Sequence, residues 1–124
     1  MAQEANWKIL FYRTASGDYP VREFLRSLDK KTRVRFGWSI EQLRLRNTQA
    51  RPPLVKHLEG KIWELREESD TNIYRILYAF YPGRRIVLLH GFMKKTQKTP
   101  RKEIEIAEQR LAEFTARKGD ADNE

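Results

Sequence analysis

Cysteine is absent from the 124 residues, and histidine occurs only twice, as His57 and His90. A chain without cysteine has no disulfide, no thiolate nucleophile and no Cys-based zinc site. Two isolated histidines do not form a metal-ligand cluster. We therefore expect that any chemistry performed by this chain uses neither sulfur nor a metal, and we predict no cofactor.

Long apolar runs are also missing. No stretch approaches the roughly 18 consecutive apolar residues of a membrane helix, and the N-terminal MAQEANWK lacks the basic-then-apolar layout of a signal peptide. The 40% hydrophobic content argues against a wholly disordered chain. We expect a soluble, cytoplasmic protein without membrane contact. It should form one domain over residues 1–118, followed by a disordered acidic tail at 119–124.

Positive charge is in excess, and it is unevenly distributed. The 25 Lys and Arg outnumber the 17 Asp and Glu, which gives a net charge of +8, and the first 62 residues carry +7 of it. Segment 30–56 has eight basic residues and one acidic, and segment 94–102 has five basic residues and no acidic one. Such blocks suit a polyanion such as RNA, DNA or the ribosome. A solvated basic surface explains either block equally well.

Apolar periodicity predicts three helices. Residues 21–28 repeat at helical spacing, and Asp29 is placed to cap a longer helix after them. The segment 47–56 should be a loop because of Pro52 and Pro53. Near the C-terminus, Thr99 is expected to cap a helix that begins at Pro100 and runs to about residue 118.

Strand signals alternate with these helices. The strands are predicted at 7–13, 61–66, 72–81 and 85–92. The last three are joined by short polar turns, which is typical of an antiparallel meander. The resulting order is β-α-α-β-β-β-α, an α+β fold in which an antiparallel sheet packs on two N-terminal helices. Trp38 and Trp63 are expected in its core rather than on the surface as base-stacking platforms, which is the alternative.

Arg75 stands in the middle of the apolar strand NIYRILYAFY. Alternation places Tyr74, Ile76 and Tyr78 on the core face and Arg75 on the opposite, partly open face. One interpretation is a structural arginine paired with a carboxylate such as Glu64 on the neighbouring strand.

A second interpretation of Arg75 is an anion site. Pairing across the turn at 82–84 brings Arg75 near Lys94 and Lys95, and the register decides which lysine shares its face. Cations fixed in this way could bind a phosphate and stabilise the extra charge of a pentacoordinate transition state. His90, Glu64 or a lysine with a lowered pKa could act as the general base.

The segments KIWELR and YRILYAFYPGRRIVLLHGFMKKTQKTPRKEIEIA closely resemble the phage Gp49-like, HigB-type toxins of the RelE/ParE superfamily. The likeness is strong over residues 59–111 and weaker upstream. It implies a RelE-like fold and a toxin of a toxin–antitoxin pair. The implied activity is that of a metal-independent endoribonuclease, which cuts mRNA in the ribosomal A site and leaves a 2′,3′-cyclic phosphate.

The resemblance also implies residue roles. Arg75 matches the sheet arginine that contacts the scissile phosphate, and Lys95, with Lys94 beside it, matches the basic residue that stabilises the transition state or leaving group. Candidates for RNA binding are Lys61, Arg66, His90, Lys98 and Arg101. The block 30–56 would dock on ribosomal RNA.

The partners implied are a helix-turn-helix, HigA-like antitoxin, the ribosome and mRNA. Two alternatives keep the fold but change the function. ParE-type relatives inhibit DNA gyrase by binding, without a nuclease site, and a non-catalytic RNA-binding module would use the same basic surface.

Overall fold

A five-stranded sheet with helices on both faces organises the computed structural model, which describes residues 6–69 and 71–117. The elements are β1 (Lys8–Phe11), α1 (Pro20–Arg26), α2 (Lys30–Arg46), β2 (Val55–Glu59), β3 (Ile62–Ser69), β4 (Asn72–Tyr81), β5 (Arg85–Lys94) and α3 (Arg101–Ala116). The sheet order is β1-β5-β4-β3-β2. β1 runs parallel to β5, and the other pairs are antiparallel.

The predicted α+β class is confirmed, but the predicted strand count is wrong. Part of the segment expected to be a loop forms β2, so the order is β-α-α-β-β-β-β-α and the sheet is mixed rather than wholly antiparallel. β2 reads VKHLE, which has little strand preference of its own. It is held by pairing with β3 across a tight turn at Gly60, whose φ is +53°.

Both faces of the sheet are covered. On one face, Ile76 and Tyr78 pack with residues of α1 and α2 such as Val21 and Phe36. On the other, residues such as Leu77, Ala79 and Val87 pack against Ala107 and Phe114 of α3. The expectation that Arg75 projects from a partly open face is therefore wrong: its side chain is 0% exposed.

The predicted helix caps had different outcomes. Asp29 caps α2 as predicted, because its carboxylate accepts hydrogen bonds from Thr32 N (3.1 Å) and Thr32 Oγ1 (2.7 Å). Thr99 does not cap α3. The N-cap residue is Pro100, and the Thr99 hydroxyl donates to Glu64 instead. Lys118 and the predicted tail at 119–124 lie outside the described residues.

The two tryptophans expected in the core differ in how deeply they are buried. Trp63 is partly buried and packs against the core on the α2 side, whereas Trp38 on α2 is 62% exposed. No helix in the described part of the chain is long and apolar enough to cross a membrane.

Gly91 allows α1 to approach β5 closely. A Cβ at position 91 would lie 2.4 Å from Cδ2 of Phe24. We predict that Gly91→Ala destabilises the fold by about 1–3 kcal/mol, because the ring must shift in a packed core. Gly37 is the matched control. A Cβ there meets nothing within 4 Å, so Gly37→Ala in α2 should stabilise the fold by about 0.5–1 kcal/mol. Denaturant unfolding measures both changes, and equal effects of the two substitutions would contradict the packing at Gly91.

Candidate phosphate-binding site

The sheet register places three cations on the face covered by α3. Arg66 of β3 pairs with Arg75 of β4, which in turn pairs with Phe92 of β5. Two residues further along β5, Lys94 pairs with Ile73. Because residues two apart on a strand share a face, Lys94 lies on the same side as Arg75 and Arg66. Lys95 is exposed beyond the end of β5, so the register selects Lys94 as the lysine that shares the arginine's face.

Glu64 is the carboxylate that joins these cations. Its Oε1 is 3.5 Å from Arg75 Nε, and its Oε2 is 3.6 Å from Arg66 Nε. Thr99 Oγ1 donates to Glu64 Oε1 (2.8 Å), and Lys94 Nζ donates to Thr99 Oγ1 (2.9 Å). Glu64 is only 2% exposed. One buried carboxylate therefore organises residues from β3, β4, β5 and the segment before α3.

Arg75 is not in a one-to-one pair. Its Nη1 donates to the carbonyl of Tyr74 (2.8 Å) and that of Glu67 (3.4 Å). Its Nε and Nη2 are buried without a hydrogen-bond acceptor, although Glu64 and Glu68 lie within ion-pair distance. Burial lowers the pKa of Arg75, and Glu64 opposes that effect, so the guanidinium stays charged at neutral pH. Two of its nitrogens therefore lack an acceptor, although neither is exposed to solvent.

Lys94 is also buried at this face. Its ammonium donates to the carbonyl of Gln97 as well as to Thr99, so the segment 97–99 folds back onto the cluster. Burial lowers the pKa of Lys94, Glu64 raises it, and the nearby charge of Arg75 lowers it further. The lowered pKa of Lys94 fits a lysine that could act as the general base, and that role stays a prediction.

A cavity of about 510 Å³ opens beside the cluster. Its lining includes three cations, Lys56, Arg66 and Lys98, and one acid, Glu64. With Arg75 and Lys94 behind them, positive groups outnumber carboxylates around this space. Its electrostatic character therefore favours an anion.

Two of the residues predicted to bind RNA, Lys61 and Arg101, do not line this cavity. Lys61, in the turn before β3, lines a groove against the second half of α3. Arg101 forms ion pairs with three carboxylates, those of Glu59, Glu105 and Glu108. Of the five predicted contacts, only Arg66 and Lys98 line the cavity.

His90 ties β5 to α3. Its Nε2 is 2.6 Å from Glu103 Oε1, its Nδ1 is 3.4 Å from Arg110 Nη1, and its ring stacks on Phe92. Burial lowers the pKa of His90, and Glu103 opposes that shift. Because both ring nitrogens are engaged, this histidine serves as a packing contact in the structure.

Sequence reasoning missed two members of the site. Lys56 was placed only in the ribosome-docking block, and Thr99 was assigned to a helix cap. Glu64 was considered only as a partner of Arg75 or as a base, and its contact with both arginines depends on a register that the sequence does not specify. In the described part of the chain, no group of three or more His, Asp and Glu is placed to hold a metal ion.

The family model for phage-derived protein Gp49-like (DUF891) matches residues 23–112, which is more than half of the chain. The chain belongs to the Gp49-like family. No curated protein matches it. The Gp49-like match runs from α1 into α3, so it includes Glu64, Arg75, Lys94 and Thr99. Membership confirms the family resemblance, and the Gp49-like family is toxin-like, which implies an antitoxin partner.

Glu64 should dominate the stability of this Gp49-like cluster. We predict that Glu64→Gln costs about 3–5 kcal/mol of unfolding free energy, because Arg75 is then left buried without its nearest counter-charge. The matched control is Glu68→Gln. Glu68 is also near Arg75 but is 60% exposed, so its loss should cost less than about 1 kcal/mol. Denaturant unfolding at neutral pH distinguishes the two, and equal costs would show that Glu64 does not hold the cluster.

His90 should titrate below its ordinary pKa of 6.5. The unfolded chain then binds the proton more readily than the folded chain, so this contribution to stability is present above pH 6.5 and is lost as the pH falls through the folded pKa. Glu103→Gln should lower the pKa of His90 further, because Glu103 raises it. NMR titration of the imidazole ring measures both values. A wild-type midpoint at or above 6.5, or an upward shift in Glu103→Gln, would contradict the buried contact.

Proposed function

We propose that this Gp49-like protein is the toxin of a type II toxin–antitoxin pair and that it is a ribosome-dependent mRNA endoribonuclease. The observation that carries the proposal is the excess of cations around one cavity, with Arg75 and Lys94 fixed behind Arg66, Lys56 and Lys98. Family membership supports the toxin assignment. We also propose that the helices and sheet form a RelE-like arrangement and that the protein acts in the cytoplasm.

The proposed reaction uses the RNA's own 2′-hydroxyl. The 2′-oxygen attacks the adjacent phosphorus, the P–O5′ bond breaks, and the products are a 2′,3′-cyclic phosphate and a 5′-hydroxyl. Solvent water accepts the proton of the 2′-hydroxyl and returns one to the O5′ leaving group, so no net proton is released. Negative charge increases on the phosphate oxygens in the transition state, so cations placed beforehand lower the barrier.

We assign the charge-stabilising roles to Arg75, Lys94 and Lys95. The two unbonded N–H groups of Arg75 would face the non-bridging oxygens of the scissile phosphate. Lys94 would exchange its bond to the Gln97 carbonyl for the phosphate, and exposed Lys95 would reach the leaving group. In this arrangement Glu64 is a positioning residue, since both of its oxygens face cations that it orients.

Arg66 and Lys98 would contact the RNA backbone beside the scissile phosphate, since both line the cavity. Lys61, Arg101 and His90 lie away from this cavity or are engaged by carboxylates, and we assign them no part in the phosphate site. A helix-turn-helix, HigA-like antitoxin would inhibit the toxin by covering the basic cavity. The basic block 30–56 would dock on ribosomal RNA.

The test is cleavage of mRNA in a translating extract, with fragment ends mapped by primer extension. The double variant Lys95→Ala/Lys98→Ala removes two exposed lysines, so the core stays intact, and we predict a loss of cleavage of about 100-fold. Lys8→Ala, an exposed charge on β1 at the opposite edge of the sheet, is the control and should cleave normally.

Three results would overturn this proposal. They are normal cleavage by the double variant, equal cleavage of free and ribosome-bound mRNA, and no cleavage by the wild-type protein. If the wild type cleaves no mRNA but blocks DNA supercoiling by gyrase, the ParE-like alternative is correct. Thermal melting of each variant shows whether the fold has been preserved.

A further inference from the structure

Trp38 projects from the middle of α2 beside a second groove, on the other side of the sheet edge from the cavity. The side chain is 62% exposed, although large aromatic side chains usually bury most of their surface. The groove measures about 590 Å³ and lies between α2, the segment 51–54 and the end of β3. Pro52, Pro53 and Leu54 form its opposite wall.

This second groove carries positive charge. Arg46, Arg51 and Arg66 line it. The side chain of Arg46 forms no hydrogen bond or ion pair with any residue in the described ranges, and it is exposed. Of the two acids present, Glu67 is already neutralised, because Arg35 Nε lies 3.3 Å from it and Ser39 donates to it. Glu68 is the one acid of the lining that remains exposed.

Arg66 connects the two grooves. It lines both the Trp38 groove and the cavity that holds Lys56 and Lys98. β2 pairs with β3 as far as Leu65, and Arg66 N still donates to the Leu54 carbonyl (3.0 Å), so Arg66 is the last residue of β3 that is bonded on this edge. A ligand that follows the positive charge could therefore run from the Trp38 groove past Arg66 to the phosphate cavity.

We propose that the Trp38 groove binds single-stranded RNA, with one base stacked on the Trp38 indole and the flanking phosphates on Arg46 and Arg51. The inference rests on the proposed function, because it extends the path of the RNA that is cut at the neighbouring cavity. An exposed aromatic ring beside arginines is the usual platform for an unpaired base, and stacking of this kind tolerates any sequence.

The composition of the groove favours RNA over a helical peptide. A helix that docks in a groove needs an apolar strip long enough for side chains at i, i+3, i+4 and i+7. Here the apolar lining is short and consists of one ring facing two prolines and a leucine, with arginines on both sides. A polyanion with separated flat bases matches that pattern better.

Binding of 2′-O-methyl oligouridines to the purified full-length protein tests the proposal. The methyl group prevents attack by the 2′-oxygen, so anisotropy of a labelled oligonucleotide reports binding without cleavage. A 3-nucleotide probe can fill the phosphate cavity alone, whereas a 9-nucleotide probe can also reach Trp38. We expect the longer probe to bind the wild type more tightly at low salt.

The expected effects are specific to the ring and to probe length. Trp38→Ala should weaken binding of the 9-nucleotide probe roughly 5- to 100-fold, with no change for the 3-nucleotide probe. Trp38→Phe keeps a stacking surface and should restore most of the affinity. Val34→Ala is the matched control. Val34 is 60% exposed on the same helix but does not line the groove, so this variant should bind as the wild type does. Arg46→Ala should also make the slope of log K against log salt concentration less steep by about 0.7, which is the value for one phosphate contact on a single strand.

Three outcomes would overturn this inference. They are equal binding of the two probes by the wild type, equal affinity of Trp38→Ala and Val34→Ala for the longer probe, and loss of antitoxin binding in Trp38→Ala while RNA binding stays unchanged. The last would make the groove a protein-docking surface. If the wild type cuts no mRNA but Trp38→Ala still loses the longer probe, the proposed nuclease function fails and the RNA groove stands. If cleavage is normal and substitution of Trp38 does not change the affinity for either probe, only the proposal that the Trp38 groove binds RNA is refuted.

Discussion

The ion pairs and hydrogen bond made by the buried carboxylate of Glu64 are the contacts on which the α3-facing side of the sheet depends. Arg66 and Arg75 stand directly opposite each other on neighbouring strands, an arrangement that like charges disfavour. Glu64 lies two residues before Arg66 on β3 and diagonally across from Arg75 on β4, and it accepts a hydrogen bond from Thr99, which in turn accepts one from Lys94. If Glu64 were apolar, three cations would share a water-poor face with little compensation.

The cluster around Glu64 carries more positive than negative charge, and its cations are held in place by the fold. The strands fix the backbone positions of these cations through the register. The segment 97–99 closes over the cluster through Gln97 and Thr99. Two nitrogens of Arg75 are buried without an acceptor, and in the proposed function they face the oxygens of the scissile phosphate. The groove at Trp38 extends the same surface across Arg66.

Sequence patterns predicted the elements whose own residues determine them. β4 was predicted at 72–81, as observed, because its apolar and aromatic run is long. Asp29 was predicted as a cap because its effect is local. β2 was missed because its polar residues form a strand only through pairing with β3. Thr99 was misassigned because its hydroxyl is used by a residue 35 positions away.

Burial was harder to predict than secondary structure. Alternation along β4 correctly separated Arg75 from the core of α1 and α2, but it could not show that α3 and the segment before it cover the opposite face. For the same reason, Trp38 was expected inside, although the sheet edge leaves that side of α2 open. The site's identity as a cation cluster could be predicted from the sequence; its organisation by Glu64 could not, because it depends on the register of three strands.

The most direct measurement of the central claim is the NMR signal of Arg75 Nε–H during titration with a non-cleavable 2′-O-methyl oligoribonucleotide. The account predicts that this signal shifts as the RNA saturates the protein, together with the ammonium signal of Lys94. If both signals stay unchanged at saturation while RNA is bound, the cluster held by Glu64 is a structural ion-pair network and not the site that receives the phosphate.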